Sequence, residues 1–303
     1  MIRIATRASA LARWQAERVG ALLGQSGERD VEYVLVSTTG DRDQTSDLHV
    51  IGGLGVFTKE VQQAVLDGAA DVAVHSAKDL PTATPPGLTL AAIPERADPR
   101  DALVGSTFAD LVSGARIGTG SVRRRAQLAS ARTDLTFGPL RGNIQTRLRK
   151  RDELGYDAVV VAYAALQRLG LAEHPPDVID VLDVDLMLPQ VAQGALAAEC
   201  RADDARTIAR LHGIDDHIAH VAVDTERAFL AELGGGCDLP CGALARVGGP
   251  DGAIVLEALL ASLDGHVSLR TRVAGDDPSD VGTTAALDLL DGKGGRALMD
   301  DVA

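Results

Sequence analysis

Residues 116–161 read RIGTGSVRRRAQLASARTDLTFGPLRGNIQTRLRKRDELGYDAVVV, a stretch in which short β-rich runs alternate with longer helical ones. The predicted strands are 116–118, 135–137 and 158–161, and the predicted helices are 121–131 and 143–153. Strands that alternate with helices in this way form parallel sheets covered by helices. We therefore expect an α/β domain that binds its ligands at the carboxyl ends of the strands.

The first hundred residues show the same alternation. The predicted strands there are 2–6, 31–37, 71–75 and 88–93, and the predicted helices are 11–23 and 56–66. The polar, proline-containing segments 94–101 and 189–194 are predicted to be crossovers between domains. A second α/β domain is therefore expected on the amino-terminal side of the first crossover.

The carboxy-terminal part of the chain shows a different pattern of predicted helices and strands. A predicted helix, 220–233, leads into three glycines, and strands at 254–260 and 267–273 precede a helix near 283–290. This pattern favours a smaller α+β domain. The predicted division is 1–94 with 194–214 as domain 1, 99–190 as domain 2, and 217–303 as domain 3.

Positive charge is concentrated in one part of an acidic chain. Ten Arg or Lys residues and one acid, Asp134, lie in residues 116–151, a local charge of +9 in a chain of net charge −13. Nine of the ten are arginines, whose guanidinium fork fits carboxylate or phosphate groups. The pattern indicates a site for a polyanion. The alternative is a pair of basic helix faces neutralised by acidic residues elsewhere.

Composition excludes several classes of protein. At 303 residues the chain is expected to form two or three domains. It has no signal-peptide core and no apolar run of membrane-spanning length, so we expect a cytoplasmic protein. Its three cysteines argue against a disulfide framework, and Cys237-x3-Cys241 is not a zinc pattern, so no metal site is predicted. The net charge argues against general nucleic-acid binding.

The segment VHSAKDLP, residues 74–81, places polar side chains where a predicted strand ends. Asp79 beside Lys78 at such an edge could act as a general acid or base, with nearby cations controlling its ionisation. The alternative is structural, with Ser76 or Asp79 capping a short helical turn.

Two helix starts have the composition of anion sites. GTGSVRRR, residues 118–125, combines small residues, hydroxyls and arginines at the start of a helix, although it is not a Walker motif. LRGN, residues 140–143, followed by Arg147, repeats this arrangement. The alternative for each is an ordinary capped helix with a basic surface.

Taken in order, the motifs of this chain resemble those of the porphobilinogen deaminase family, also called hydroxymethylbilane synthases. The matching segments are RASALA (7–12), TGD (39–41), GLGVFTKE (53–60), VHSAKDLP (74–81), DPRD (98–101), GTGSVRR (118–124), LRGN (140–143), QGA (193–195) and LGGGCDLP (233–240). Each motif alone is weak, but the ordered set spans nearly the whole chain and is specific.

The resemblance implies two periplasmic-binding-protein-like (type II) α/β domains around a cleft, plus a small α+β carboxy-terminal domain. It implies an enzyme that condenses four porphobilinogen molecules head to tail, releases ammonia at each step and finally adds water. The growing chain would be held on a dipyrromethane cofactor, joined by a thioether to Cys237. The resemblance also suggests a monomer.

The resemblance also assigns roles to individual residues. Asp79 would be the catalytic residue, stabilising positive charge on the pyrrole and relaying protons. The residues expected to bind the cofactor carboxylates are Lys78, Thr119, Ser121, Arg123, Arg124 and Arg147. The residues expected to bind substrate or the elongating end are Arg7, Ser9, Phe57, Arg141, Arg168 and Gln193.

The chain departs from the family pattern at three positions: Leu54 replaces a frequent lysine, Gly120 a frequent serine, and Ala10 a frequent proline. None of these changes touches a residue to which the resemblance assigns a role. Two other functions are compatible with part of the sequence. A non-catalytic binding protein for a small anion would leave Cys237 and Asp79 without a role. A nucleic-acid or polyphosphate binder would have only Phe137 for base stacking in its basic stretch.

Overall fold

The computed structural model describes residues 1–27, 30–42, 55–173, 177–234, 239–248 and 252–300. Its strands are β1 Ile2–Arg7, β2 Val31–Val36, β3 Val72–Ser76, β4 Leu88–Ala92, β5 Asp101–Val104, β6 Arg116–Gly118, β7 Thr136–Gly138, β8 Ala158–Ala162, β9 Ile179–Val181, β10 Leu196–Arg201, β11 Cys241–Val247, β12 Ile254–Ala261 and β13 Ser268–Gly275. Its α-helices are α1 Ala10–Gln25, α2 Thr39–Arg42, α3 Lys59–Leu66, α4 Val122–Ala131, α5 Ile144–Glu153, α6 Tyr163–Arg168, α7 Ala205–His212, α8 His217–Glu232, α9 Pro278–Leu287 and α10 Arg296–Asp300.

The first of two compact units comprises Met1–Ala97 and Gly194–Val223. Its sheet has the strand order β2-β1-β3-β10-β4, in which β1 is parallel to β2 and β3. Strand β10, which follows the second crossover, runs antiparallel to both of its neighbours. Helix α1 packs on this sheet because Ala16, Val19 and Leu23 form a buried face at helical spacing.

The second unit comprises Asp98–Gln193 and Asp224–Ala303. Its α/β sheet has the order β7-β6-β8-β5-β9, with β6 parallel to β7 and β8 and with β5 antiparallel to both neighbours. Strand β8 is entirely buried, since Val160 packs into one core and Val159 and Val161 into another on the opposite face. A continuous apolar run of this kind is typical of a strand covered on both faces.

The carboxy-terminal part of this unit forms a three-stranded antiparallel sheet, β11-β12-β13, against which α9 packs. Leu244 and Leu259 of this sheet share a core with Ala126 of α4 and with Leu188. The expected pair of α/β sheets and a separate small α+β part are confirmed. The predicted boundaries of three domains stay a prediction.

Several elements differ from the sequence-based expectation. Helix α3 begins at Lys59 rather than at Val56, because residues 55–58 form a turn in which Gly55 has φ +89°. Strands β5, β9, β10 and β11 were not predicted. Two of them, β5 and β10, contain the buried acids Asp101 and Glu199, which make the strands look polar in the sequence. Among the described helices, none is both long and apolar enough to cross a membrane.

Candidate active site

A pocket in the first unit lies at the carboxyl ends of β1 and β3. Its lining residues are Arg7, Ser9, Leu11, Ala12, Gln15, Phe57, Thr58, Val74, His75, Ser76 and Asp79. Four residues predicted from the sequence therefore come together here, namely Arg7, Ser9, Phe57 and Asp79. The position agrees with the general location of ligands in α/β sheets.

Asp79 is the last residue of a 3-10 turn, Ala77–Asp79, that directly follows β3. The turn is fixed at its start, because the Ala77 N–H donates to the carbonyl of Ala195 at 3.0 Å. The Ser76 side chain makes no capping hydrogen bond to the turn; its hydroxyl accepts one from Gln15 Nε2 at 2.7 Å. The alternative in which Ser76 caps this turn is therefore not realised, and Asp79 is half-buried at the pocket.

Arg7 and Phe57 form a stacked pair in this pocket. The guanidinium carbon of Arg7 lies 4.2 Å from the centroid of the Phe57 ring, within cation–π distance. Ser9 caps the start of α1, its hydroxyl accepting from the Ala12 N–H at 3.3 Å. The first turn of α1 thus faces the same pocket as Arg7.

A buried polar pair, His75 and Glu199, lies at the wall of the pocket and was missed by sequence reasoning. His75 Nε2 is 3.3 Å from Glu199 Oε2, and Gln62 Nε2 donates to the same carboxylate oxygen at 2.8 Å. Both His75 and Glu199 are almost fully buried. The pairing depends on the antiparallel neighbour β10, so a motif at residues 74–81 gives no signal for a partner at position 199.

In the second unit, two of the predicted arginines share one buried carboxylate. Asp101 Oδ2 accepts from Arg123 Nη2 at 2.8 Å, while Asp101 Oδ1 accepts from Arg124 Nε at 3.0 Å and from Arg124 Nη2 at 2.7 Å. The carbonyl of Leu188 accepts from Arg123 Nη1 at 2.6 Å, and that of Val160 from Arg124 Nη1 at 3.0 Å. We call Asp101, Arg123 and Arg124 the buried charge cluster.

The buried charge cluster carries one positive charge in excess. Burial acts to raise the pKa of Asp101, but the charges of Arg123 and Arg124 outweigh it and hold that pKa well below its usual range. Burial in turn lowers the pKa of Arg123 from its ordinary value. Arg123 Nε is buried and has no hydrogen-bond partner among the described residues. An excess charge and an unsatisfied donor are costly in a protein interior, so the cluster suits an additional anion.

Gln193, predicted to bind substrate, contacts this cluster. Its Nε2 donates to Asp101 Oδ1 at 2.9 Å and to the carbonyl of Pro99 at 2.8 Å. The preceding residue, Ala192, has φ +59°, a left-handed conformation that is rare for a residue with a Cβ. Glu226 holds it there, because Glu226 Oε2 accepts from the Ala192 N–H at 2.6 Å and Oε1 from the Ala245 N–H at 2.9 Å.

The two helix starts singled out in the sequence are both capped. The Ser121 hydroxyl accepts from the Arg124 N–H at 3.4 Å, and the Thr119 hydroxyl accepts from the Ser121 N–H at 3.1 Å. At the start of α5, Asn143 Oδ1 accepts from the Thr146 N–H at 2.9 Å. The helix caps of the structural alternative are therefore present at both helices, but Arg123 and Arg124 are buried and do not form a basic surface.

Three further predicted basic residues, Arg141, Arg147 and Arg168, lie on the same unit, whereas Lys78 lies half-buried in the first unit, in the turn that ends at Asp79. Arg147 Nε donates to the carbonyl of Gly142 at 2.7 Å. Arg168 ends α6, where burial lowers its pKa to about 10. Arg141 is half-buried in the loop before α5. Gly120, one of the departures from the family pattern, lies so near this loop that a Cβ would sit 2.9 Å from the Leu140 carbonyl oxygen.

Two of the three cysteines, Cys200 and Cys241, lie within the part of the chain that the structure describes. Cys237, the predicted attachment site, lies outside the described residues. Cys200 and Cys241 are buried, and burial raises the pKa of the Cys200 thiol to about 11. A neutral, buried thiol is a poor nucleophile, so neither geometry nor ionisation favours Cys200 as a reactive group.

Comparison with known proteins matches nearly the whole chain to one family. Residues 2–209 match the family model described as "Porphobilinogen deaminase, dipyromethane cofactor binding domain". Residues 220–291 match the model of the porphobilinogen deaminase carboxy-terminal domain. The porphobilinogen deaminase of Roseiflexus sp. (strain RS-1) is 46% identical over 301 residues, covering 98% of this chain and 97% of that protein. That of Acidothermus cellulolyticus is 46% identical over 299 residues, covering 96% and 88%. The chain therefore belongs to the porphobilinogen deaminase family.

Proposed function

We propose that this protein is a hydroxymethylbilane synthase. It condenses four porphobilinogen molecules head to tail, with loss of one ammonia per condensation, and hydrolyses the product to linear hydroxymethylbilane. The observation that carries this proposal is the pocket at the carboxyl ends of two strands, which both Asp79 and Arg7 line. Porphobilinogen has a cationic reacting end and two carboxylates, so the pocket offers one partner for the cation and one for a carboxylate.

Asp79 stabilises charge and moves protons. As ammonia leaves the aminomethyl carbon of the incoming porphobilinogen, positive charge spreads over its pyrrole ring. A carboxylate fixed near the pyrrole N–H stabilises that charge as it develops. Asp79 would then accept the proton displaced from the pyrrole α-carbon that forms the new bond, as the ring bearing that carbon becomes aromatic again. Lys78, the preceding residue in the turn, is expected to pair with carboxylates.

The buried charge cluster supports binding of dipyrromethane, the cofactor named in the description of the family model that matches residues 2–209. A carboxylate would accept a hydrogen bond from the unsatisfied Arg123 Nε. It would also neutralise the excess positive charge of the cluster. When bound, the dipyrromethane supplies a free pyrrole α-carbon as the nucleophile and a tether for the growing chain. We propose that Lys78, Thr119, Ser121, Arg123, Arg124 and Arg147 hold its carboxylates and that Cys237 carries it through a thioether.

The other basic residues hold the substrate and the growing product. A chain of six pyrroles carries about a dozen carboxylates, and a site that excludes water must match them with cations. We assign this role to Arg7, Arg141 and Arg168, and we propose that the uncharged Ser9, Phe57 and Gln193 also contact the substrate or the growing chain. The half-buried Arg7 and Arg168 suit it, because a partly desolvated guanidinium binds a carboxylate more tightly than an exposed one.

We also propose that the enzyme acts as a monomer in the cytoplasm, as the family resemblance suggests. Sedimentation velocity at several protein concentrations tests the first part. A concentration-dependent shift to a dimer would contradict it.

The decisive experiment measures the intact mass of the denatured protein beside the Cys237→Ser variant. We expect a mass excess of two linked pyrrole units in the parent protein and none in the variant. The same preparation should release one ammonia per porphobilinogen consumed. An unmodified mass that persists after incubation with porphobilinogen, together with no ammonia release, would favour a non-catalytic protein that binds a small anion.

A further inference from the structure

The two arginines of the buried charge cluster use their donors differently. Arg124 uses all three of its nitrogens, because Nε and Nη2 donate to Asp101 and Nη1 donates to the Val160 carbonyl. Arg123 donates through Nη1 to the Leu188 carbonyl and through Nη2 to Asp101, but its Nε has no hydrogen-bond partner among the described residues. The Arg123 side chain is buried, so an unsatisfied donor there is costly. Of the two arginines, Arg123 is therefore the one whose Nε–H can still donate to a ligand.

The carbonyl that Arg123 Nη1 binds is itself held by a third buried side chain, Gln127. Gln127 Nε2 donates to the Leu188 carbonyl at 3.0 Å, and Gln127 Oε1 accepts from the Leu188 N–H at 2.8 Å. Gln127 lies four residues after Arg123 in α4, so the two side chains lie on the same face of the helix. One side chain therefore fixes both the donor and the acceptor of the Leu188 backbone.

The first strand of the carboxy-terminal sheet, β11, also holds this backbone. The Leu188 side chain is buried in the core that α4 shares with that sheet. The Pro189 carbonyl accepts from the Ala243 N–H at 3.0 Å. An added Cβ on Gly242 would lie 2.8 Å from both the Leu188 and the Pro189 carbonyl oxygens. The Leu188 carbonyl therefore has little room to move.

We propose that Gln127 is a positioning residue for the cofactor and that it acts through Arg123. By fixing the Leu188 carbonyl as the partner of Arg123 Nη1, Gln127 keeps the guanidinium in the orientation that leaves its Nε–H for a cofactor carboxylate. Without this restraint, the carbonyl and the guanidinium can shift until Nε is satisfied within the protein. A donor that is fixed before binding loses little freedom when the anion arrives. This inference rests on the proposed function and deepens it, since it names a residue that prepares the cofactor site.

The test uses the full chain with Cys237→Ser, which cannot attach the cofactor, and acetate as the carboxylate probe. Nuclear magnetic resonance follows the Arg123 Nε–H signal, which is assigned by its loss in Arg123→Lys. We expect acetate to shift this signal, and we expect the dissociation constant of acetate to rise about three- to tenfold when Gln127→Met is added. Gln62→Met is the matched control, because Gln62 is similarly buried in the first unit and donates through Nε2 to Glu199. This control should leave acetate binding unchanged.

A second variant, Gly242→Ala, tests the same restraint and does not depend on the folding of Gln127→Met. Its added Cβ would overlap with the Leu188 and Pro189 carbonyl oxygens, so acetate binding should weaken in the same way. Gly248→Ala, directly after β11, has no atom within 4 Å of the added Cβ and should bind acetate as the parent does. Acetate affinity that is the same in Gln127→Met or in Gly242→Ala as in its control would overturn the proposal.

The intact mass of proteins that retain Cys237 separates this inference from the proposed function. Gln127→Met should carry the two-pyrrole mass excess in a smaller fraction of its molecules than Gln62→Met, and equal fractions would contradict the role of Gln127. A parent protein with the mass excess, whose Cys237→Ser variant shows no response to acetate at Arg123, would overturn the inference alone. A parent protein without the mass excess, whose Cys237→Ser variant still binds acetate in a way that depends on Gln127, would instead reject the proposed function.

Discussion

Replacing Asp101 by Asn tests whether the buried charge cluster is a major source of stability. The Asp101 side chain is fully buried and accepts hydrogen bonds from Arg123, Arg124 and Gln193. Asparagine has nearly the same shape, so the change leaves packing intact. It removes the negative charge, however. It also replaces one carboxylate oxygen by an amide NH2 group, which cannot accept a hydrogen bond from a guanidinium.

The size of the effect follows from the burial of all three members. Both arginine side chains are at most 6% exposed, so water cannot solvate them once their carboxylate is gone. Removing one partner of such a buried pair costs about 3–5 kcal/mol. For a unit of this size, about 2–4 °C of melting temperature is lost per kcal/mol, so we expect a decrease of about 6–20 °C.

The assay is thermal and urea unfolding of the Asp101→Asn protein beside a matched control, Asp98→Asn. Asp98 also pairs with an arginine, Arg100, at 2.6 Å, but the Arg100 side chain is 41% exposed and the Asp98 side chain 21%. A pair this exposed contributes about 0–1 kcal/mol, so the control should unfold close to the parent protein. If Asp101→Asn costs less than about 1 kcal/mol, or no more than Asp98→Asn, the attribution of stability to the buried cluster is wrong.

Four further outcomes are expected. Asp79→Asn should retain fold and cofactor but lose nearly all turnover; a normal rate of ammonia release would remove Asp79 from its role. Arg141→Leu should raise KM or stall elongation without lowering the melting temperature, and unchanged kinetics would make Arg141 an ordinary surface residue. Because the folded pKa of Asp101 lies below its ordinary value of 3.8, its stabilisation is present above that value and is lost as the pH falls below it. Acid unfolding of Asp101→Asn should therefore be less steep than that of the parent protein, and equal slopes would contradict this. The Cys200 thiol, with its pKa raised to about 11, should resist thiol reagents at pH 8 until the protein unfolds, and rapid native-state labelling would refute its burial.

Local patterns in the sequence were sufficient to predict much of the fold. Strands β1 and β3 and helices α1 and α4 follow from apolar periodicity and capping residues, as Ser121 illustrates. Strands β5 and β10 were missed because a charged residue in a short strand looks like a loop until its partner is known. Asp101 becomes intelligible only beside Arg123 and Arg124, more than twenty positions away.

The candidate site shows the same division. Ordered motifs and a family resemblance pointed to Arg7, Phe57 and Asp79, and all three line one pocket in the structure. What could not be predicted is the set of supporting contacts, since these join distant segments. His75 with Glu199 and Arg7 with Phe57 are pairs that only the assembled sheet and its turns bring together.

The antiparallel strand in each α/β sheet has a consequence for synthesis on the ribosome. In the first unit β10 lies between β3 and β4, so this sheet cannot be completed until residue 201 has left the ribosome. The sheet of the second unit, which needs only β5 to β9, is complete in sequence by residue 181. The amino-terminal sheet, although made first, is therefore the later of the two to be completed. Until then β3 and β4 have open edges, the interval in which a nascent chain is most exposed to aggregation.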